Sequence, residues 1–164
     1  MRKLRLYLDT SVISNVDAPH VPVEEAVTQA LFEFVKEHPD EYEMVISPMS
    51  VFEIDNCPEP KQSQLVSLIE RYGVFRLPFS QDALDLAELY VKAGVLTPRH
   101  IRDLMHIAYA AVNRCDYIVS WNMKHFVKAR TISRVHAVNL ANNYFSPFIV
   151  TPVVILGDKS HEDD

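Results

Sequence analysis

Four polar side chains stand at places where an α/β chain could gather them: Asp9, Glu53, Asp103 and Asn122. Each lies near an end of its element that a parallel sheet can bring to one edge, where open α/β sheets bind ligands. Three carboxylates collected there repel one another unless a cation neutralises them. Oxygen ligands of this kind suit Mg²⁺ or Mn²⁺, which keep several waters and share phosphate oxygens with a substrate. Such a site lowers the pKa of a bound water and stabilises charge on a phosphate in transition. Plainer uses exist for the same residues. Asp, Thr and Ser are all good helix N-caps, so for Asp9-Thr10-Ser11 capping and chemistry both stay open at this point.

The elements that must position these groups read as alternating strands and helices. Residues 2–8 form an apolar, β-prone run ended by Asp9. Residues 14–22 carry the breakers of a loop, and residues 24–38 have helical spacing. Residues 44–46 are a short buried strand, followed by Ser47-Pro48, a cap with proline at the first helical position. Glu53 falls within two turns of that start, before Pro58 and Pro60 stop the helix. A helix over 61–72, a strand over 74–77 and a helix over 81–93 follow, with Gly94 as terminator. Thr97-Pro98 starts a helix to about residue 114, with Asp103 early in it and an otherwise apolar face. Residues 117–119 form a strand ending in Ser120-Trp121-Asn122; residues 123–144 are mostly helical and 148–150 form a fifth strand. Residues 153–156 stay ambiguous. The pattern predicts a parallel sheet with helices on both faces, one domain over 1–156 and a charged, disordered tail over 157–164.

Composition removes several classes. With three glycines in 164 residues there is no Gly-rich phosphate loop. The two cysteines, Cys57 and Cys115, make neither a metal spacing nor a disulfide framework. No apolar run approaches the roughly 20 residues of a membrane span, and nothing at the start reads as a signal peptide, so cytoplasm is the expected compartment. Net charge is −6, but unevenly spread. Residues 1–91 hold 7 Lys/Arg against 16 Asp/Glu, whereas residues 92–136 hold 8 against 2. That segregation predicts a local positive surface on an acidic protein, unless it is only a solvated helix face.

The order Tyr-Leu-Asp-Thr-Ser-Val-Ile (7–13), Ser-Pro-x-x-x-x-Glu (47–53), Asp-Leu-Met-His-Ile-Ala-Tyr-Ala (103–110) and Asp-Tyr-Ile-Val-Ser-Trp-Asn-Met-Lys-His-Phe (116–126) resembles the PIN domain. The likeness is to its VapC-like branch with a Trp-Asn-x-Lys-His motif, and it spans residues 4 to about 155. The resemblance implies a three-layer α/β/α fold with a short parallel sheet and a Mg²⁺- or Mn²⁺-dependent endoribonuclease, the toxin of a toxin–antitoxin pair. It carries the acidic metal ligands over to Asp9, Glu53 and Asp103. The fourth catalytic position, often Asp, falls on Asn122, which keeps an oxygen but loses the charge. Thr10 or Ser11 would position a ligand or water, and Ser120 would support the fourth position. A homodimer and a cognate antitoxin laid across the acids are implied as well.

Around this set, His106 lies three residues after Asp103, can share its face and is expected as a supporting group. Arg99, Arg102, Lys124 and His125 are the expected contacts to RNA phosphate. Asp55 points roughly 200° from Glu53 on a helix and reads as solvated, Asp116 as a turn or cap, and Trp121 as packed. A second reading, a catalytically weak or inactive PIN-fold module that binds RNA or protein, rests on the Asn at 122. An aspartyl-phosphate phosphatase is disfavoured, because Asp9 is followed by Thr10-Ser11 rather than by x-Asp.

Overall fold

The computed structural model describes residues 2–157. Five strands form one all-parallel sheet in the order β3-β2-β1-β4-β5: β1 (Leu4–Leu8), β2 (Tyr42–Ile46), β3 (Phe75–Arg76), β4 (Tyr117–Val119) and β5 (Phe148–Val150). β1 is central, with Leu6 opposite both Met44 of β2 and Tyr117 of β4. The chain runs outward from β1 to β2 and β3, then returns to the other side of β1 for β4 and β5. The crevice beyond the carboxyl ends of β1 and β4 is therefore the topological switch point.

The two-residue period of the strands splits the core into two layers. Leu6 and Leu8 point to one face, against Leu31 and Phe32 of α2 (Pro22–Glu37), Leu65 and Ile69 of α4 (Lys61–Arg71) and Ile155 of α8 (Pro152–Gly157). Tyr7 points to the other, against α5 (Gln81–Lys92), α6 (Ile101–Val112) and α7 (Ala129–Ala141). The result is the three-layer α/β/α arrangement expected.

Local signals set most boundaries. Ser47 opens α3 (Pro48–Asp55) with a capping box: its Oγ accepts from Met49 N at 3.2 Å and its own N–H donates to Ser50 Oγ at 3.3 Å. Gly94, at φ +72°, ends α5 with paired bonds from Val95 N to Tyr90 O and from Gly94 N to Val91 O. Five expectations shift. Asp9 stands at the N-cap of a five-residue helix, α1 (Thr10–Ser14), whose last residue falls within the stretch 14–22 expected as a loop. α2 starts at Pro22 rather than residue 24. Residues 98–100 are a separate 3₁₀ turn before α6. Only 129–141 of the stretch 123–144 is an α-helix, because residues 123–128 turn about Asn122. Residues 153–156 belong to α8, whose final residue, Gly157, was assigned to the tail. The rest of that tail, 158–164, lies outside the described residues.

Candidate active site

Asp9 takes the N-cap position of α1, but its carboxylate makes no cap bond. Instead Oδ2 accepts the hydroxyls of Ser11 at 2.8 Å and Ser120 at 2.9 Å. Those two bonds tie the ends of β1 and β4 together and orient a carboxylate that is only 6% exposed. Ser11 Oγ also accepts from Trp121 N at 3.1 Å, and Ser120 Oγ from Asn122 N at 2.9 Å. The hydroxyls of Ser11 and Ser120 thus brace the acid. Oδ1 makes no hydrogen bond among the described residues, and neither does the buried Oγ1 of neighbouring Thr10.

His106 stands between the acids. Its Nε2 is hydrogen-bonded to Glu53 Oε1 and lies 3.8 Å from Asp9 Oδ1. Its Nδ1 is 2.6 Å from the Tyr7 hydroxyl, which is 2.6 Å from Ser47 Oγ. Glu53 from α3, Asp9 from β1 and the α6 imidazole are thereby brought to one point. His106, expected as a supporting group on the face of Asp103, makes its ring hydrogen bond elsewhere. Those two side chains act on each other through charge, and the hydrogen bond goes to Glu53, which approaches from another helix. Burial pulls the imidazole down. The Glu53 hydrogen bond and the charges of Asp9, Glu53 and Asp103 outweigh it and hold His106 above its ordinary value.

Asp103, in the first turn of α6, is about three-quarters shielded. Burial raises its pKa, and the charge of Asp9 raises it further. Beside it stands a residue that sequence reasoning passed over: His100 Nδ1 lies 3.8 Å from Asp103 Oδ2. The His100 ring packs on that of His125 with centroids 3.9 Å apart. Burial, and then the neighbouring His100, lower His125. The signal available in the sequence was His100-x-x-Asp103, one helical turn apart, but nothing local joins it to residue 125.

Asn122 lies beside the acids in sequence order, but its Oδ1 accepts the backbone N–H of His125 at 3.0 Å and so builds the turn. Of the expected phosphate contacts, Lys124 and His125 line an open cavity of about 560 Å³ together with His100, Lys128, Arg130 and Arg134. Arg99 is exposed on the 3₁₀ turn, and Arg102 stacks over the half-exposed Phe52 ring at 5.1 Å; neither reaches that cavity. Asp116 is structural. It receives both guanidinium nitrogens of Arg2, at 2.8 and 2.9 Å, and Arg5 N at 2.7 Å. Asp55 is exposed, and Trp121 is packed, donating to Thr28 Oγ1 at 2.8 Å.

No protein-family model and no curated protein matches this sequence. Among solved structures, the chain is similar to one in the crystal structure of VapBC2 from Rickettsia felis bound to a DNA fragment from their promoter. The two are 14% identical, the match covers 90% of this chain and 98% of that one, and the TM-score is 0.56. The fold is PIN-like. At 14% identity the likeness speaks to the fold alone.

The donor set fits a hard divalent cation. Asp9 Oδ1 carries no hydrogen bond, the orphaned Thr10 hydroxyl is the next residue, and Asp103 is held near Asp9 against its own repulsion. The fit is loose on one side, since Glu53 is drawn onto His106. Among the described residues, Asp9, Glu53 and Asp103 do not form a trio with all ligand atoms within 4.8 Å.

Proposed function

We propose that this protein is a metal-dependent endoribonuclease that hydrolyses RNA phosphodiester bonds, the toxin of a type II toxin–antitoxin pair, working in the cytoplasm. One observation carries the reading: acids from β1, α3 and α6 meet around His106 at the switch point, beside a cavity lined by six cationic or imidazole side chains.

Asp9, Glu53 and Asp103 would hold the cation, Mg²⁺ or Mn²⁺. When bound, it lowers the pKa of a coordinated water and offsets charge on the scissile phosphate. The protein's own groups do the rest. Ser11 and Ser120 occupy Asp9 Oδ2 and leave Oδ1 free. His106, hydrogen-bonded through Nε2 to Glu53 and held above its ordinary pKa by the surrounding carboxylates, offsets the crowding of the acids. Lys124, Lys128 and Arg130 offer phosphate contacts that position a strand without reading its sequence. Among the described residues no helix is long and apolar enough to cross a membrane. A homodimer and a cognate antitoxin complete the reading. The resemblance supports both, the VapBC2 likeness supports the antitoxin, and Phe148, Val153 and Val154, each more than half exposed on β5 and α8, offer an apolar surface for a partner.

The decisive experiment is cleavage of a panel of cellular RNAs by purified protein with Mg²⁺, Mn²⁺ or EDTA, beside an Asp9→Asn control. Cleavage that needs metal and Asp9 is expected; full activity in excess EDTA would overturn the mechanism. A second reading, a PIN-fold module that binds RNA or protein without cutting, is favoured by the Asn122 oxygen being spent on the His125 backbone. RNA retention without cleavage under every metal would select it.

A further inference from the structure

The residues on the α6 side of the acidic centre have different chemistry from those at the Asp9 end. His100, Asp103 and His125 are the one trio among the described His, Cys, Asp and Glu residues whose ligand atoms all lie within 4.8 Å of one another. We propose that His100, Asp103 and His125 form a binding site for a divalent first-row transition-metal ion, sharing Asp103 with the acidic centre.

Three features carry this. The donors are two imidazoles and one carboxylate. Imidazole suits Zn²⁺, Cu²⁺, Fe²⁺ and Ni²⁺, whereas Mg²⁺ takes oxygen. Secondly, the ring nitrogens are available. Among the described residues neither His100 nor His125 makes a ring hydrogen bond, and the closest approach is His100 Nδ1 to Asp103 Oδ2 at 3.8 Å. The two rings lie with centroids 3.9 Å apart, which puts both imidazoles on one side of Asp103. Thirdly, the backbone is fixed at all three positions. His100 and Asp103 are one turn apart across the 3₁₀–α6 junction. His125 is held by its N–H to Asn122 Oδ1 and by the neighbouring Phe126, which is fully buried.

Tetrahedral coordination at metal–ligand distances near 2.0–2.1 Å puts ligand atoms about 3.3 Å apart. Rotation of three partly exposed side chains closes the remaining gap. Three protein ligands leave at least one position open, and both imidazoles line the cationic cavity, so water or an anionic group reaches it.

This inference goes beyond the nuclease reading and does not depend on it, because binding is read without RNA. Tag-free, metal-stripped protein is titrated with Co²⁺ in excess Mg²⁺, followed by visible absorption and calorimetry. Wild type is expected to take one Co²⁺ that Mg²⁺ does not displace. His100→Ala and His125→Ala should each weaken Co²⁺ binding by roughly 10–100-fold or more, while the Mg²⁺-induced rise in melting temperature persists. Asp9→Asn should do the reverse, so a failed Mg²⁺ response identifies failure of the acidic centre instead. Unaltered Co²⁺ affinity in both histidine variants, or displacement by Mg²⁺, would sink the proposal. Should a variant misfold, wild type alone decides: Co²⁺ must shift the His100 and His125 ring proton signals before those of His20, His38 and His136.

Discussion

The Tyr7 hydroxyl sits 2.6 Å from His106 Nδ1, so a fully buried phenol near the carboxyl end of β1 sets the orientation of the imidazole between Glu53 and Asp9. Burial raises Tyr7 far above its ordinary pKa, and the hydroxyl therefore keeps its proton. It can donate to the imidazole when His106 is neutral, or accept from it and donate to Ser47 when His106 is charged.

Tyr7→Phe keeps the ring and removes this link. His106 Nδ1 then loses its partner in a dry site, at a cost of about 1–3 kcal/mol. Urea unfolding should show the loss, and the imidazole NMR signals should report a freed ring. Unchanged stability and an unchanged His106 titration would mean the hydroxyl holds nothing.

Without metal, both Asp103 and His106 are raised above their ordinary 3.8 and 6.5. The folded state then binds more protons than the unfolded one above those values, so stability falls as pH rises through the folded pKa values. Half-exposed His125, lowered, acts in the opposite sense but from a wetter position. Metal-free protein is expected to melt higher at pH 6 than at pH 8. Excess Mg²⁺ should abolish or reverse that slope, since the cation replaces the protons, and His106→Gln should flatten it. Melting curves across pH with EDTA or Mg²⁺ check all three.

Asp9→Asn and Asp103→Asn each remove a carboxylate from a crowded group. Cleavage should fall by on the order of 10²-fold or more, with circular dichroism unchanged. The metal-free melting temperature should hold or rise, and its increase with Mg²⁺, expected for the wild type from ligand linkage, should disappear.

The cavity residues separate binding from metal chemistry. Lys124→Ala or Lys128→Ala should weaken every RNA alike and lower the slope of log affinity against log salt by about 0.7 for each phosphate left unneutralised. Filter binding across a salt series measures it. Identical slopes in both variants would move the RNA path away from this cavity.

Asp116→Ala is the contrasting case. It frees exposed Arg2 to water and strips the partner from the Arg5 N–H, so the midpoint of denaturant unfolding is expected to fall. Activity per folded molecule should not change.

The amino-acid sequence already carried the alternation of elements, the start at Ser47-Pro48, the stop at Gly94 and the acids at strand or helix ends. These depend on interactions within a few residues: a cap, a missing N–H, a period of two or 3.6. The tertiary structure alone decided who faces whom. His106 shares a helix with Asp103, yet its ring hydrogen-bonds to Glu53, because strand order sets α3 and α6 on either side of the site. Asn122 looked like a fourth acid's substitute, but its oxygen builds the turn that sets His125 against His100, 25 residues away. Those pairings depend on register, crossing and rotamer across long separations, and local periodicity carries no information about them.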